Sequence, residues 1–187
     1  MTKPLYLIVA CDEQGGIGYR GELPWNIPED WDFFLESTRN GILIMGRVSY
    51  ESMRCSDVFP LRDRTYIVVS KTLEPPKEEH VHIVPDVEAA LDLSMKLPGR
   101  IWGCGGVGIY RELIPSADFL VITQIRETFQ TDRYFPENWR SYFPNRLQIL
   151  ERKNESYQYR FSLFSANNPT PGFYNFNELR LFREKFE

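Results

Sequence analysis

Arg100-Ile101-Trp102-Gly103-Cys104-Gly105-Gly106-Val107-Gly108-Ile109-Tyr110-Arg111-Glu112-Leu113-Ile114 is the stretch on which the fold turns. Arg100 to Cys104 reads as a buried strand, the glycines as a tight turn, and Gly106 to Ile114 as a helix stopped by Pro115. Phe119 to Ile125 returns as another strand. Strand, turn, helix and strand in succession is the rhythm of an α/β sheet. Working outward, Leu5 to Cys11, Ile42 to Met45, Thr65 to Val69 and Val81 to Val84 are short apolar runs rich in β-branched residues, the pattern of strands buried on both faces. A helix is predicted from Pro28 with Asn26 as its cap, and another from Asp86 to Leu97, ended by Pro98-Gly99. Downstream, Leu147 to Arg152 and Tyr157 to Phe164 flank Lys153-Asn154-Glu155-Ser156, a turn composition, and so predict an antiparallel hairpin. The expectation is a single-domain α/β fold over 1–164, mostly parallel with an antiparallel edge. Residues 165–187 are expected to be a C-terminal extension. Within it, 167–172 reads as a linker, and Leu179, Phe182 and Phe186 are spaced as a short amphipathic helix. That helix is expected to dock on its own domain, with a dimer contact or a fused partner as the alternatives.

The chain has 187 residues, of which 42% are hydrophobic and 14% aromatic, enough to build a sizeable core. Twenty-two basic against 26 acidic residues leave a net charge of −4 with no Lys/Arg block, which argues against nucleic acid as a partner. Three widely spaced cysteines, Cys11, Cys55 and Cys104, suit neither a disulfide framework nor a zinc site and point to a reducing cytoplasm. The two histidines, His80 and His82, read as surface residues rather than metal ligands, so no metal is expected. The opening apolar run is too short to span a bilayer. A soluble monomer is expected, with the tail as its route to any association.

Three constellations carry chemistry. Gly103, Gly105 and Gly108 have the spacing of a dinucleotide fingerprint, but no acidic residue closes a following strand, so phosphate binding is expected without a Rossmann fold. Met45-Gly46-Arg47-Val48-Ser49 places a guanidinium and a hydroxyl at a strand-to-helix junction, and Ser70-Lys71 repeats that arrangement. Together the three favour a ligand carrying several phosphates. Along the helix from Pro28, 100° steps put Ile27, Trp31, Phe34 and Leu35 on an apolar stripe and Glu29, Asp32 and Glu36 opposite. Asp30 falls between Phe33 and Phe34. It reads equally well as a first-turn acid complementing the helix dipole and as the carboxylate of a site for a flat, donor-bearing ring. No nucleophile elbow or triad is present, and Cys104 reads as an inert core thiol.

The run Ile17-Gly18-Tyr19-Arg20-Gly21-Glu22-Leu23-Pro24-Trp25-Asn26-Ile27-Pro28-Glu29-Asp30 resembles the signature of the dihydrofolate reductase family. The likeness continues through Met45-Gly46-Arg47, Glu51-Ser52, Pro60-Leu61 with Arg64, Gly105-Gly106 with Ile109-Tyr110, Thr123, and Asp132 before Phe135-Pro136. It covers about residues 4–164 in order. The resemblance implies an eight-stranded mixed sheet with helices on both faces. It also implies NADPH-dependent reduction of 7,8-dihydrofolate to tetrahydrofolate, with hydride to C6 and a proton to N5.

By the same resemblance, Asp30 is the active-site carboxylate, pairing with the pterin N3 and 2-amino group, and Thr123 hydrogen-bonds it. Arg64 takes the α-carboxylate of the glutamate tail. Ile8, Val9, Phe34, Met53 and Leu61 are implied as walls around the substrate, with Cys104 and Tyr110 also on its side. Leu23 and Trp25 belong to a mobile loop that closes over the nicotinamide. Arg47, Ser70 and Lys71 are implied to hold the 2′-phosphate. Ser49, Gly105, Gly106, Val107, Gly108 and Ile109 meet the pyrophosphate and nicotinamide, Ala10 and Ile17 hold the carboxamide, and Gly18 and Gly46 complete the cofactor set. The implied small-molecule partners are dihydrofolate and antifolates.

The sequence departs from the family pattern at several positions. Val107 stands where bacterial members have glycine, and Cys104 replaces an aliphatic residue. Asp63 precedes Arg64 where glycine is common and is expected to compete for its charge. The segment 54–58 is longer than in short bacterial members. Two alternatives stay open: an NADPH-dependent pyrimidine or pterin reductase of the same superfamily, and a non-catalytic pterin-binding paralogue.

Overall fold

Apolar runs of β-branched and aromatic residues become strands, and the helical patterns between them return the chain across the sheet. The computed structural model describes residues 3–55, 59, 61–74 and 78–170. In chain order the elements are β1 (Leu5–Cys11), β2 (Gly16–Gly18), α1 (Pro28–Ser37), β3 (Ile42–Gly46), α2 (Arg47–Arg54), β4 (Thr65–Val69) and β5 (Val81–Val84). There follow α3 (Val87–Lys96), β6 (Ile101–Gly103), α4 (Val107–Leu113), β7 (Phe119–Ile125), β8 (Arg133–Tyr134), α5 (Trp139–Tyr142), β9 (Asn145–Lys153) and β10 (Gln158–Ser165).

Eight strands form one sheet in the order β5-β4-β3-β6-β1-β7-β10-β9, and β2 pairs with β8 in a small second sheet. The strands from β5 to β7 pair in parallel, and β10 runs antiparallel to both of its neighbours. The predicted hairpin is present, with Gln158 opposite Lys153. Strand alternation splits the core in two. Leu5, Leu7, Val9 and Cys11 of β1 pack with Val87 of α3 and with Ile109 and Leu113 of α4 on one face. Tyr6 and Ile8 pack with Phe33 of α1 on the other, where Tyr50 of α2 joins a neighbouring cluster. Helices on both faces of an eight-stranded sheet are as expected.

Several local expectations are corrected. Ile27, not Asn26, is the N-cap of α1, and no side chain caps it. Ile27 is buried in the core beside Trp25, which fixes the entry of the helix, while Asn26 faces solvent. Phe33 is the most deeply buried ring of α1, stacked on Phe161 of β10 at 4.1 Å. Trp31, Phe34 and Leu35 of the predicted stripe are only half-buried, because that side of α1 faces clefts. His80 and His82 are half-buried rather than on the surface.

The pair β2–β8 and the one-turn α5 had no readable pattern, being too short for any period. The chain predicted as a linker is fastened to the domain as far as Thr170. The Ala166 N–H donates to the Asp118 carbonyl at 2.9 Å, and the Thr170 N–H donates to the Asp118 carboxylate at 2.6 Å. The predicted helix at 179–186 lies outside the described residues. Among the described residues no helix is long and apolar enough to cross a membrane.

Candidate active site

The site begins where a strand stops short. β6 ends at Gly103, opposite Leu7 of β1 and Ile44 of β3. Beyond it, the Cys104 N–H stays with β3 and donates to the Ile44 carbonyl at 2.9 Å. The Ile8 carbonyl of β1 instead accepts from the Tyr110 hydroxyl of α4 at 2.7 Å. A cavity of about 750 Å³ opens in this gap, over the C-terminal ends of β1, β3 and β6. Such ends are the general ligand crevice of open α/β sheets.

Most of the expected residues meet there. β1 and β2 contribute Ile8, Val9, Ala10, Ile17 and Gly18. Asp30 and Phe34 come from α1, and Gly46, Arg47, Ser49 and Met53 from the β3–α2 junction. The β6–α4 turn supplies Cys104, Gly105, Gly106, Val107 and Gly108, followed by Ile109 and Tyr110. Thr123 of β7 and the exposed Leu23 complete the set. Cys104 is therefore a cavity-wall residue rather than a core one, and burial holds its thiol well above the ordinary value and so protonated.

Asp30 is half-buried at the inner end of the cavity. The surrounding apolar surface desolvates its carboxyl and pushes it up to about 6, while hydrogen bonding from Thr123 acts in the opposite direction. Trp31, which also lines the cavity, is stacked on Phe34 at 5.3 Å. A titratable acid between aromatic rings is suited to a flat ring bearing N–H donors.

The opposite end is built for anions. Arg47 opens α2 and is paired with Glu51 at 2.7 Å, both side chains well exposed. Gly105 has φ +111°, and the Gly105–Gly106 peptide bond is cis. A Cβ on Gly105 would stand 3.4 Å from the Ser49 hydroxyl, and one on Gly106 3.5 Å from it. The missing side chains thus leave a cradle of backbone and hydroxyl groups beside Arg47, the donor set that a phosphate-bearing cofactor requires.

Five expected residues stand outside the cavity. Trp25 is buried behind the loop, against Phe129 at 5.3 Å, so it anchors the loop while Leu23 reaches the opening. Ser70 and Lys71 follow β4, whose Val69 is paired with Gly46, and so flank Arg47 from the next strand end. Leu61 and Arg64 line a second cleft of about 440 Å³ on the far side of α1. Arg64 is buried, and its Nη1 is paired with Asp63, as the neighbouring charges predicted. Residues 56–58 of the lengthened segment, and Pro60, lie outside the described residues.

Several lining residues escaped sequence reading, three of them charged. Glu22 accepts a hydrogen bond from the Ser52 hydroxyl at 2.9 Å, tying the 19–23 loop to α2 across the opening. Arg133 arrives through the β2–β8 pair, for which no sequence signal exists. Glu112 lines the cavity from α4, again with no signal.

Residues 4–167 match the sequence pattern of the dihydrofolate reductase family. The chain belongs to that family. It is 32% identical to the dihydrofolate reductase of Bacillus subtilis over 166 residues, covering 86% of this chain and 94% of that one. It is 31% identical to the dihydrofolate reductase of Bos taurus over 191 residues, covering 90% and 100%. Its fold is similar to that of the dihydrofolate reductase from Enterococcus faecalis complexed with NADP(H) and RAB-propyl. The TM-score there is 0.78, at 34% identity, over 88% of this chain and 97% of the other.

Proposed function

We propose that this cavity reduces 7,8-dihydrofolate to 5,6,7,8-tetrahydrofolate with NADPH as hydride donor. The observation that carries the reading is Asp30. One half-buried carboxyl, raised to about 6, lies in an aromatic wall facing a glycine-lined anion cradle. When bound, NADPH supplies the hydride and water the proton; the chain binds, orients and polarises the substrate.

Asp30 is assigned to the pterin N3 and 2-amino group, where a carboxylate accepts two parallel N–H bonds. Its charge favours a protonated pterin, so the proton needed at N5 is stabilised close to neutral pH without Asp30 touching that atom. Thr123 orients the carboxylate. Ile8, Val9, Phe34 and Met53 exclude water around the rings, and Leu23 covers the opening from a loop anchored by Trp25. Arg47, flanked by Ser70 and Lys71, is assigned to the 2′-phosphate, with Ser49 and Gly105 to Ile109 at the pyrophosphate and nicotinamide. Arg64 and Leu61, in the adjoining cleft, are assigned to the glutamate tail. Antifolates carrying a diaminated ring would take the same place. Three free cysteines, one of them exposed, suit a reducing compartment such as the cytoplasm.

The test follows NADPH oxidation in the presence of dihydrofolate for wild type and Asp30→Asn. Rapid turnover by wild type, lost near neutral pH in the variant and partly regained at low pH, is the expected result. Absence of turnover by a folded wild type that binds NADPH would overturn the reading.

A further inference from the structure

The second cleft shares a wall with the main cavity: along α1, Phe34 faces the cavity and Leu35 faces the cleft. Arg64 lies at its base with a side chain only 3% exposed. The α1 region holds two of its nitrogens. Nε donates to the Thr38 hydroxyl at 3.1 Å, and Nη2 donates to the Leu35 carbonyl. Thr38 is itself fixed, since its hydroxyl donates to the Phe34 carbonyl at 2.7 Å. These contacts set the plane of the guanidinium before any ligand arrives.

The contact at Nη1 is of a different kind. Nη1 donates to the carboxylate of Asp63, the preceding residue, whose side chain is 42% exposed. A guanidinium grips a carboxylate best through two parallel N–H bonds. With Asp63 on Nη1, an incoming carboxylate shares the group with a like charge. The rest of the cleft does not compensate, because Arg39, Arg62 and Arg64 are balanced there by Asp32, Glu36 and Asp63, and Arg39 is already paired with Glu36.

We infer that Asp63 is a resident anion on Arg64 that the substrate's tail carboxylate must displace, which makes Asp63 the residue that sets this enzyme's preference for tailed over tail-less dihydropterins. The inference rests on the proposed function and names a specificity determinant within it. Displacement is feasible because Asp63 is exposed and can turn to solvent, whereas Arg64 is held from behind by Leu35 and Thr38. The outcome is a guanidinium prepared in geometry but partly neutralised in charge. Discrimination against a dihydropterin without a carboxylate tail is then weaker than a free arginine would give.

The experiment measures kcat/KM for 7,8-dihydrofolate and for 6-methyl-7,8-dihydropterin in wild type, Asp63→Asn, Asp63→Ala and Asp63→Glu. The inference expects the ratio of dihydrofolate to methyl-dihydropterin efficiency to rise about threefold to tenfold in the Asn and Ala variants, through KM for dihydrofolate. Asp63→Glu, which keeps the charge, is expected to stay near the wild-type ratio. A ratio unchanged or lowered in Asp63→Asn and Asp63→Ala would overturn the inference, as would an equal rise in Asp63→Glu. Failure of wild type to reduce either pterin would instead sink the functional reading.

Discussion

Tyr110 and Ile8, 102 residues apart in sequence, are joined by a buried hydrogen bond of 2.7 Å from the phenol to the carbonyl. The bond stands where β6 has ended and no strand neighbour is left to take that carbonyl. It therefore ties α4, which follows the glycine cradle, to a strand that walls the cavity. Removing it with Tyr110→Phe leaves a buried acceptor unmatched, at a cost of about 1–3 kcal/mol. Urea unfolding of the two proteins at one pH measures the loss. Equal midpoints and equal slopes would show that water replaces the phenol without penalty.

Asp30 makes stability depend on pH in a definite direction. Its carboxyl titrates near 6 in the folded protein against an ordinary 3.8, so between those values the folded state holds a proton that the unfolded state has released. Stability contributed at this position is thus present at low pH and falls as pH rises through about 4 to 6. Asp30→Asn, which cannot ionise, is expected to be more stable than wild type at pH 7.5, with the gap narrowing toward pH 4. Thermal melts across that range test it, and a constant gap would contradict the assigned shift.

Asp12 binds the loops around the opening together. One carboxylate oxygen accepts from the Gln14 and Gly16 N–H groups at 2.9 and 2.7 Å, and the other accepts from the Phe129 N–H at 3.1 Å. Asp12→Asn would keep only one acceptor oxygen and aim an amide donor at a backbone donor. The variant is expected to lose about 1–3 kcal/mol, nearly as much as Asp12→Ala. NADPH affinity should weaken as well, since β2 carries Ile17 and Gly18 into the cavity. Urea unfolding and NADPH titration check both effects. Wild-type behaviour of the Asn variant would remove the carboxylate's part in holding the loops.

Arg47 is the one arginine among the three residues assigned to the 2′-phosphate, and its pairing with Glu51 is exposed and therefore weak. Arg47→Ala should raise KM for NADPH about tenfold while leaving KM for NADH nearly unchanged, because only the former carries the phosphate. Steady-state kinetics with both cofactors separate these cases. An equal rise for both would place Arg47 at a part common to them.

The order of strands and helices was readable because buried strands and amphipathic helices leave periods of two and 3.6 residues in a single chain. Asp30 was also readable as a candidate, since a wheel of α1 places it among aromatic rings. The same wheel missed Phe33 as the deepest contact, because the ring of Phe161 that receives it arrives from β10. Likewise β2, β8 and Arg133 were invisible. A two- or three-residue strand has no period, and its pairing is set by the loops around it.

By itself, then, the sequence determined the α/β succession, the glycine-rich turn at 105–108, Asp30 as a candidate carboxylate and the membership of a family whose residues recur in order. Each of these is a local matter of side-chain type and spacing. Only the tertiary structure decided that Trp25 anchors rather than covers, that Ser70 and Lys71 flank the cavity instead of lining it, and that Arg64 lines a second cleft with its guanidinium already held by Leu35, Thr38 and Asp63. Those outcomes depend on which strands become neighbours and on where β6 stops. Contacts of that kind form between residues distant in the chain, and no local period records them.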